Sequence, residues 1–482
     1  GGGIMASNIT EFREKLDKSE VSSEELFNKS IEDAKNYQDE YNSFVTIIDE
    51  YVKGDGNSIL SGIPYALKDN ISTRGILTTA SSNILSNYVP VYDATIYKKL
   101  KESGAVLMGK TVLDELAMGG TGTTGHTGVV RNPWNSERMI GGSSAGSASA
   151  VALGIVPFAI GSDTGDSIRK PAAYGGVVGF KPTYGRISRY GLFAFASSLD
   201  HLGVFTRCVR DAAIVTDIVK GHDDKDMTSL PDDNKEYSKL IDRDVKGKKL
   251  FYIKEAVENN DNDLELQKIL DNFNTVIDKC KELGIEVCEE SISKDLLLAV
   301  YPSYMSISCA EVTSNDANLT GIHFGVRGEG NTAEEIIMDA RTKGFSELIK
   351  RRFVLGSYIL QKENQEKLFL NACRVRRMIV DRVNELFREY DGIIMPAAAS
   401  IAPKFDEKTD KLSDKYLILD NHMVIGNFGG YPSITIPSGF VDNMPVGVNI
   451  TGRVMEDDLV LNIANKIEGS MEYANQIARR EE

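Results

Sequence analysis

Apolar positions in this chain follow a helical period first and a strand period afterwards. Leu26, Phe27, Ile31, Ala34 and Tyr37 recur at helical spacing behind Ser22-x-x-Glu25, a capping-box pattern. The spacing predicts a helical segment across the N-terminal residues 8–50. From residue 59 to 221 short apolar runs alternate with helical stretches, in a background rich in Gly, Ala and Ser. Residues 63–67, 105–108 and 156–160 are predicted to be buried strands. Residues 144–153 are predicted to form a helix of small side chains, able to lie very close to a sheet. A helix over 210–219 is expected to end at Gly221. The acidic stretch 222–249 contains Pro231 and is predicted to be a connection outside the core. A second series follows: strand 250–253, helix 264–283, strand 285–287, helix 368–388, strand 392–395, strands 433–437 and 447–450, and a last helix over 457–467. Such alternation predicts an α/β fold, a mixed or parallel sheet covered by helices on both faces.

Composition sets limits on this picture. The chain has 482 residues, 41% of them apolar, enough for a large core. A net charge of −15 argues against this chain gripping nucleic acid by itself, because phosphate contacts need a basic footprint. The five cysteines (Cys208, Cys280, Cys288, Cys309, Cys373) are scattered without a CxxC pair. That fits a reducing compartment and offers no zinc signature. The histidines His126, His201, His222, His323 and His422 show no ligand spacing, so no metal is expected on this chain. No apolar run reaches the roughly 18 residues of a membrane span, and no secretory signal is expected. The opening Gly1-Gly2-Gly3-Ile4 ahead of Met5 is read as foreign to the fold.

Three features carry chemistry. The strand predicted over 156–160 runs into Gly161-Ser162-Asp163-Thr164-Gly165-Asp166-Ser167, a turn of small residues that presents Ser167. A second small-residue tract, Gly141-Gly142-Ser143-Ser144-Ala145-Gly146-Ser147, lies upstream. The apolar strand Ile63-Pro64-Tyr65-Ala66-Leu67 ends at Lys68. These are the parts of a serine nucleophile activated without histidine, as in Ser–Lys variants of the triad. Amide hydrolysis needs a nucleophile, a base, an acid for the leaving amine and donors for the oxyanion. Ser167 suits the first role, and successive backbone N–H groups of Thr164, Gly165, Asp166 and Ser167 suit the last. Lys68 suits the base only if neutral; a free lysine titrates near about 10.4, and burial lowers it. Ser143 suits a relay between them. Taken singly, each is more simply a turn serine or a solvated lysine.

The two tracts together, the second continuing through Ile168-Arg169-Lys170-Pro171-Ala172, resemble the signature of the amidase signature family. Gly179-Phe180-Lys181-Pro182-Thr183-Tyr184-Gly185-Arg186 and Lys68-Asp69-Asn70 are similar to that family too. The resemblance runs from about residue 20 to the C-terminus. It implies one α/β/α domain over 5–482, with a catalytic core at 59–221, the connection at 222–249 and a second half with the substrate pocket at 250–482. It implies a triad of Lys68, Ser143 behind a cis peptide, and the nucleophile Ser167. Ala194-Phe195-Ala196-Ser197-Ser198-Leu199-Asp200 and Lys350-Arg351-Arg352-Phe353-Val354-Leu355-Gly356 resemble the members that feed ammonia to tRNA-dependent amidotransferases. There a glutamine pocket is implied at Tyr304, Arg352 and Asp420. An arginine fork holds the α-carboxylate and an aspartate the α-ammonium. Implied partners are a larger subunit that binds tRNA and uses ATP with magnesium, and a small clamp subunit. No cofactor is implied on this chain, and tRNA is met only through the partner. The bacterial cytoplasm is the expected compartment, with the mitochondrial matrix or a plastid as alternatives.

Two residues depart from the family pattern. Asp166 stands where glycine is usual, and Lys170 where glutamine is usual. If the turn needs φ > 0, Asp166 strains it, and its carboxylate opposes a developing oxyanion. Lys170 is expected to offset that charge in part. Three readings therefore stand: the glutaminase component of an amidotransferase, a free-standing amidase for another small amide, and a weakened or inactive paralogue. Gly104-Ala105-Val106-Leu107-Met108-Gly109-Lys110-Thr111 has Walker A spacing. Its apolar interior reads as a strand, with Lys110 at the strand end before a helix over 112–118. Trp134 beside Pro133 reads as a loop anchor.

Overall fold

The computed structural model describes residues 7–478. The tetrapeptide set aside above lies outside them, as do both ends of the 5–482 span. Ser22 caps the helix Ser23–Tyr41 by accepting the Glu25 N–H at 3.1 Å. A shorter helix, Asn8–Asp17, precedes it. The helical segment expected over 8–50 stops early. Asn42 adopts the left-handed conformation that ends helices, and Phe44–Ile47 continues as an edge strand.

Eleven strands form one sheet among the described residues. Across it lie Phe44–Ile47, Val106–Thr111, Pro64–Lys68, Phe158–Asp163, His201–Thr206, Val178–Lys181, Ser433–Val441, Met444–Gly452, Gly392–Pro396, Lys249–Ile253 and Glu286–Glu290. Pro64–Lys68 is parallel to both neighbours, and the 433–452 hairpin is antiparallel, so the sheet is mixed. That hairpin joins the halves: Ser433 pairs with Lys181, and Gly452 with Gly392.

Strand alternation decides which way the chemistry points. Tyr65 and Leu67 enter the largest core with Phe158, Ile160, Val178 and Phe180. Ala66 enters a different core, shared with the small-residue helix Ala145–Ala152. Period two then puts Lys68 on the Ala66 side, under that helix. All eight residues of the helix are buried, and their small size brings its backbone close to the strands.

Two further expectations are corrected here. The stretch 222–249 is not outside the core, since Tyr237, Ile241 and Val245 are buried in its largest cluster. Its acidic side chains hid this: Lys220 binds Asp232 and Asp233, and the Tyr237 hydroxyl donates to Asp233. The helix expected over 112–118 is replaced by a single 3₁₀ turn, Glu115–Ala117, with Leu116 at φ 55°. Lys110 lies inside Val106–Thr111, buried, 3.3 Å from Asp69 and bonded to Thr78 Oγ1, as a structural ion pair. Several helices were not foreseen, among them Lys294–Asn315, Ala333–Gly344 and Glu347–Leu360.

Candidate active site

The end of Pro64–Lys68 delivers the Lys68 amine to a pocket of hydroxyls. Its Nζ lies 2.7 Å from Ser143 Oγ, 2.9 Å from Ser144 Oγ and 2.8 Å from Ser162 Oγ. The side chain is fully buried. Ser144 Oγ donates to Ser162 O, so it faces the amine as an acceptor. Ser162 Oγ accepts from Asn70 Nδ2 and offers the amine a second acceptor. A neutral amine has two N–H bonds and one lone pair. With both N–H bonds used, the lone pair is left toward the Ser143 hydroxyl. Burial lowers the Lys68 ammonium from 10.5 to about 7, against the upward pull of Asp114, Asp163 and Asp200.

The Ser143 turn is built around Asp114. The Gly142–Ser143 peptide is cis, and Ser143 O accepts the Asp114 N–H at 3.1 Å. The Asp114 carboxylate accepts the N–H groups of Gly122, Thr123 and Thr124. Glycine is required at 142, because a Cβ there would sit 1.9 Å from Asp114 Oδ2.

Ser167 sits in the turn after Phe158–Asp163. Its carbonyl accepts the Ser144 N–H at 3.2 Å, which fastens the two serine tracts together. Burial alone would raise the Asp163 carboxyl, but the Arg169 guanidinium outweighs it and holds the group well below the usual carboxylate range. Thr164 anchors the turn by donating its hydroxyl to Asp200 at 2.5 Å. Among the described residues the N–H groups of Gly165, Asp166 and Ser167 meet no protein acceptor. That arrangement can receive an oxyanion. No hydrogen bond among the described residues joins the Ser143 and Ser167 hydroxyls; Ser143 Oγ has Lys68 as its partner. Asp166 does not lie in the left-handed region, so the backbone strain expected of it does not arise.

Ser167 lines a cavity of about 370 Å³ together with Gly165, Asp166, Lys170, Tyr304, Arg352 and Asp420. The three expected pocket residues are thus brought to one cavity from distant elements. Tyr304 comes from Lys294–Asn315 and Arg352 from Glu347–Leu360. Asp420 follows a wide helical turn, Lys415–Leu419. Tyr304 packs on the turn so closely that a Cβ at Gly165 would lie 2.9 Å from its ring. Arg352 Nη1 contacts Met305 Sδ at 3.5 Å and has no carboxylate in ion-pair reach among the described residues. Asp420 is engaged: Lys170 Nζ lies 2.9 Å from its Oδ1 and 2.7 Å from its carbonyl. Lys170 thus pairs with Asp420, and from there it offsets the Asp166 charge only in part, as expected.

Ser144, Ser162 and Asp114 were not foreseen as members of the site. The density of serines in the two tracts was the available signal for the first two. Asp114 left none, because its partners are three backbone N–H groups and the Thr124 hydroxyl. Trp134 is the anchor expected of it, its Nε1 donating to Gly175 O at 2.8 Å.

A mixed sheet that buries a strand-end lysine under a serine tract, with a second serine at an unbonded N–H turn, defines a class of amide-cleaving proteins. The Amidase family pattern matches residues 24–461, and the chain belongs to that family. It is 40% identical over 476 residues to the A-type subunit of the glutamyl-tRNA(Gln) amidotransferase of Heliobacterium modesticaldum, covering 96% of each chain. The crystal structure of the corresponding glutamyl-tRNA(Gln) amidotransferase subunit from Thermotoga maritima matches it with a TM-score of 0.80 at 37% identity, over 97% of this chain and 96% of that one. The peptide amidase of Stenotrophomonas maltophilia, at 22% identity, shares the fold with a TM-score of 0.80 over 97% of each chain.

Proposed function

We propose that this chain is the glutamine-hydrolysing subunit of a tRNA-dependent amidotransferase, with Ser167 as nucleophile, Ser143 as relay and Lys68 as base. The observation that carries the reading is the buried Lys68 amine, 2.7 Å from Ser143 and poised to be neutral near pH 7. The Ser167 proton passes to Ser143, whose own proton passes to Lys68 Nζ. Ser167 Oγ then bonds to the side-chain amide carbon of glutamine. The carbonyl oxygen becomes an oxyanion and takes the N–H groups of Gly165, Asp166 and Ser167. Collapse breaks the C–N bond, and the proton returns from Lys68 through Ser143 to the leaving nitrogen. Ammonia departs and a glutamyl ester remains on Ser167. Water attacks that ester by the same relay and releases glutamate.

Full-length similarity to proteins named for glutamyl-tRNA(Gln) supports a multi-subunit assembly. In this reading a larger partner binds tRNA and uses ATP with magnesium, and a small subunit clamps the two. The acidic balance of this chain accords with that division. Whether the product is Gln-tRNA or Asn-tRNA belongs to the partner. No helix of the described residues is long and apolar enough to cross a membrane. The bacterial sources of the named relatives support the bacterial cytoplasm as the compartment.

Glutamate release from glutamine, measured on the chain co-expressed with its larger partner, tests the reading. Lys68→Ala and Ser167→Ala should each lower turnover about 10³-fold or more. Turnover that survives Lys68→Ala would end the mechanism. A free-standing amidase is the second reading, favoured by one observation: Lys170 occupies Asp420, where a substrate ammonium was expected. Hydrolysis of an uncharged amide in preference to glutamine would establish it.

A further inference from the structure

We propose that Asp166 has taken over the substrate ammonium from Asp420, making the Asp166 and Arg352 pair the charge filter of this cavity. The inference rests on the amide-hydrolysing reading above and names the substrate class of that same site, an amide that is also a zwitterionic amino acid.

The argument is one of charge accounting in a closed space. Arg352, Lys170, Asp166 and Asp420 line the cavity beside Ser167, and Glu407 and Lys411 lie at its exposed edge. Lys170 is buried, and its ammonium sits on Asp420 through both the carboxylate and the carbonyl. A substrate ammonium arriving at Asp420 would meet a carboxylate whose charge Lys170 already balances through Oδ1. Drawing Lys170 off would leave its ammonium buried with no carboxylate, which is strongly unfavourable. This pair therefore cancels internally. Glu407 faces Arg138 at 3.8 Å, and Lys411 stands at the exposed edge. What is left next to the nucleophile, inside that edge, is one carboxylate and one guanidinium.

The Asp166 carboxylate accepts no hydrogen bond among the described residues, although its backbone carbonyl accepts the Lys170 N–H at 2.8 Å. It is partly exposed, and the cavity is what it faces. The charged groups around it are Lys170, Asp163, Arg169 and Asp420, with Tyr304 and Tyr416 nearby. Burial pushes its carboxyl up to about 6, the behaviour of an acid short of a cation. A ligand ammonium would supply that cation. Arg352 likewise lacks a carboxylate partner among the described residues. An α-amino acid brings both missing charges, and only a few bonds separate the side-chain amide carbon of glutamine from its α-nitrogen. The neighbour of Ser167 is thus within a substrate's length. Bound ammonium also answers the objection to Asp166, since it neutralises the carboxylate before an oxyanion forms.

The test compares glutamine with its des-amino analogue, the monoamide of glutaric acid, on the co-expressed complex. Asp166→Asn keeps the shape and removes the charge. The ratio of kcat/KM for glutamine over the analogue should fall about 30-fold, the size expected for one charged hydrogen bond. Adding Lys170→Gln to Asp166→Asn frees Asp420 and should restore much of the ratio. An unchanged ratio in Asp166→Asn, or equal losses on both substrates, would overturn the proposal. So would a gain in glutamine turnover, which would mean the carboxylate only opposes the oxyanion. A parallel calorimetric arm uses Ser167→Ala and measures binding of both compounds with and without Asp166→Asn. If glutamine is not cleaved by the unmodified complex, the glutaminase reading falls. The binding arm still decides the charge filter: glutamine must bind more tightly than the analogue only while Asp166 is present.

Discussion

Lys68 turns an ordinary side chain into a base through what surrounds it. Among the described residues no charged partner touches its Nζ; three hydroxyls and a carbonyl do. The fold lowers its pKa from 10.5 to about 7. The neutral form is the active one, so turnover should rise about tenfold per unit up to pH about 7 and then level off. A pH profile of kcat/KM checks this; a flat profile between pH 5 and 7 would exclude Lys68 as base. Stability carries the same signature. The folded chain binds fewer protons than the unfolded one between about 7 and 10.5, so the Lys68 penalty is absent above that window and grows as pH falls through it. Ser143→Ala removes the hydroxyl that faces the lone pair and should cost about 10²–10⁴ in kcat. Loss of less than a factor of five would show that the proton moves by another path.

At the level of elements, a turn and a helix fix the geometry. The Asp114 N–H holds the Ser143 carbonyl, its carboxylate accepts the Gly122 N–H, and a Cβ at 142 would collide with that carboxylate. Gly142→Ala should destabilise the fold by about 3 kcal/mol and remove turnover. Thermal unfolding and glutamate release measure the two effects, and an active, unshifted variant would refute the assignment. The strands carrying Lys68 and Ser167 were legible because each is a short apolar run ending in a special residue. The small-residue helix was legible from composition. The helix Lys294–Asn315 was not, since Pro302 lies inside it and its apolar residues follow no single stripe. The 3₁₀ turn at Glu115–Ala117 was missed because its support comes from other loops, the Leu116 N–H reaching Ala80 O and the Glu115 N–H reaching Thr124 Oγ1. The Lys170–Asp420 pair spans 250 positions in sequence, and only the sheet topology brings its members together.

Across the whole molecule, one sheet carries the reacting groups, while helices of its second half carry Tyr304 and Arg352. Far from the site, a buried pair of acids closes the N-terminal helix against the last one. Ser7 bonds Asp211, and Glu468 accepts the Val209 N–H. Burial pushes Glu468 from 4.5 up to about 8, so the folded chain binds more protons than the unfolded one between these values. Its contribution is present at low pH and is lost as pH rises through about 8. Glu468→Gln should therefore raise the unfolding midpoint by about 2–4 °C at pH 8.5 and leave it unchanged at pH 4. Equal shifts at both pH values would contradict the assignment.

The end of Pro64–Lys68 is sealed from bulk water. Any hydrogen ion that enters there must leave by the door it came in. In the proposed acylation step the loop therefore closes on itself, the hydrogen taken from Ser167 leaving on the departing nitrogen. Nitrogen is exported as a small neutral molecule, able to slip through a greasy passage where its charged conjugate would stall. Under the proposed function, the sealed amine is what keeps that nitrogen uncharged as it leaves this chain.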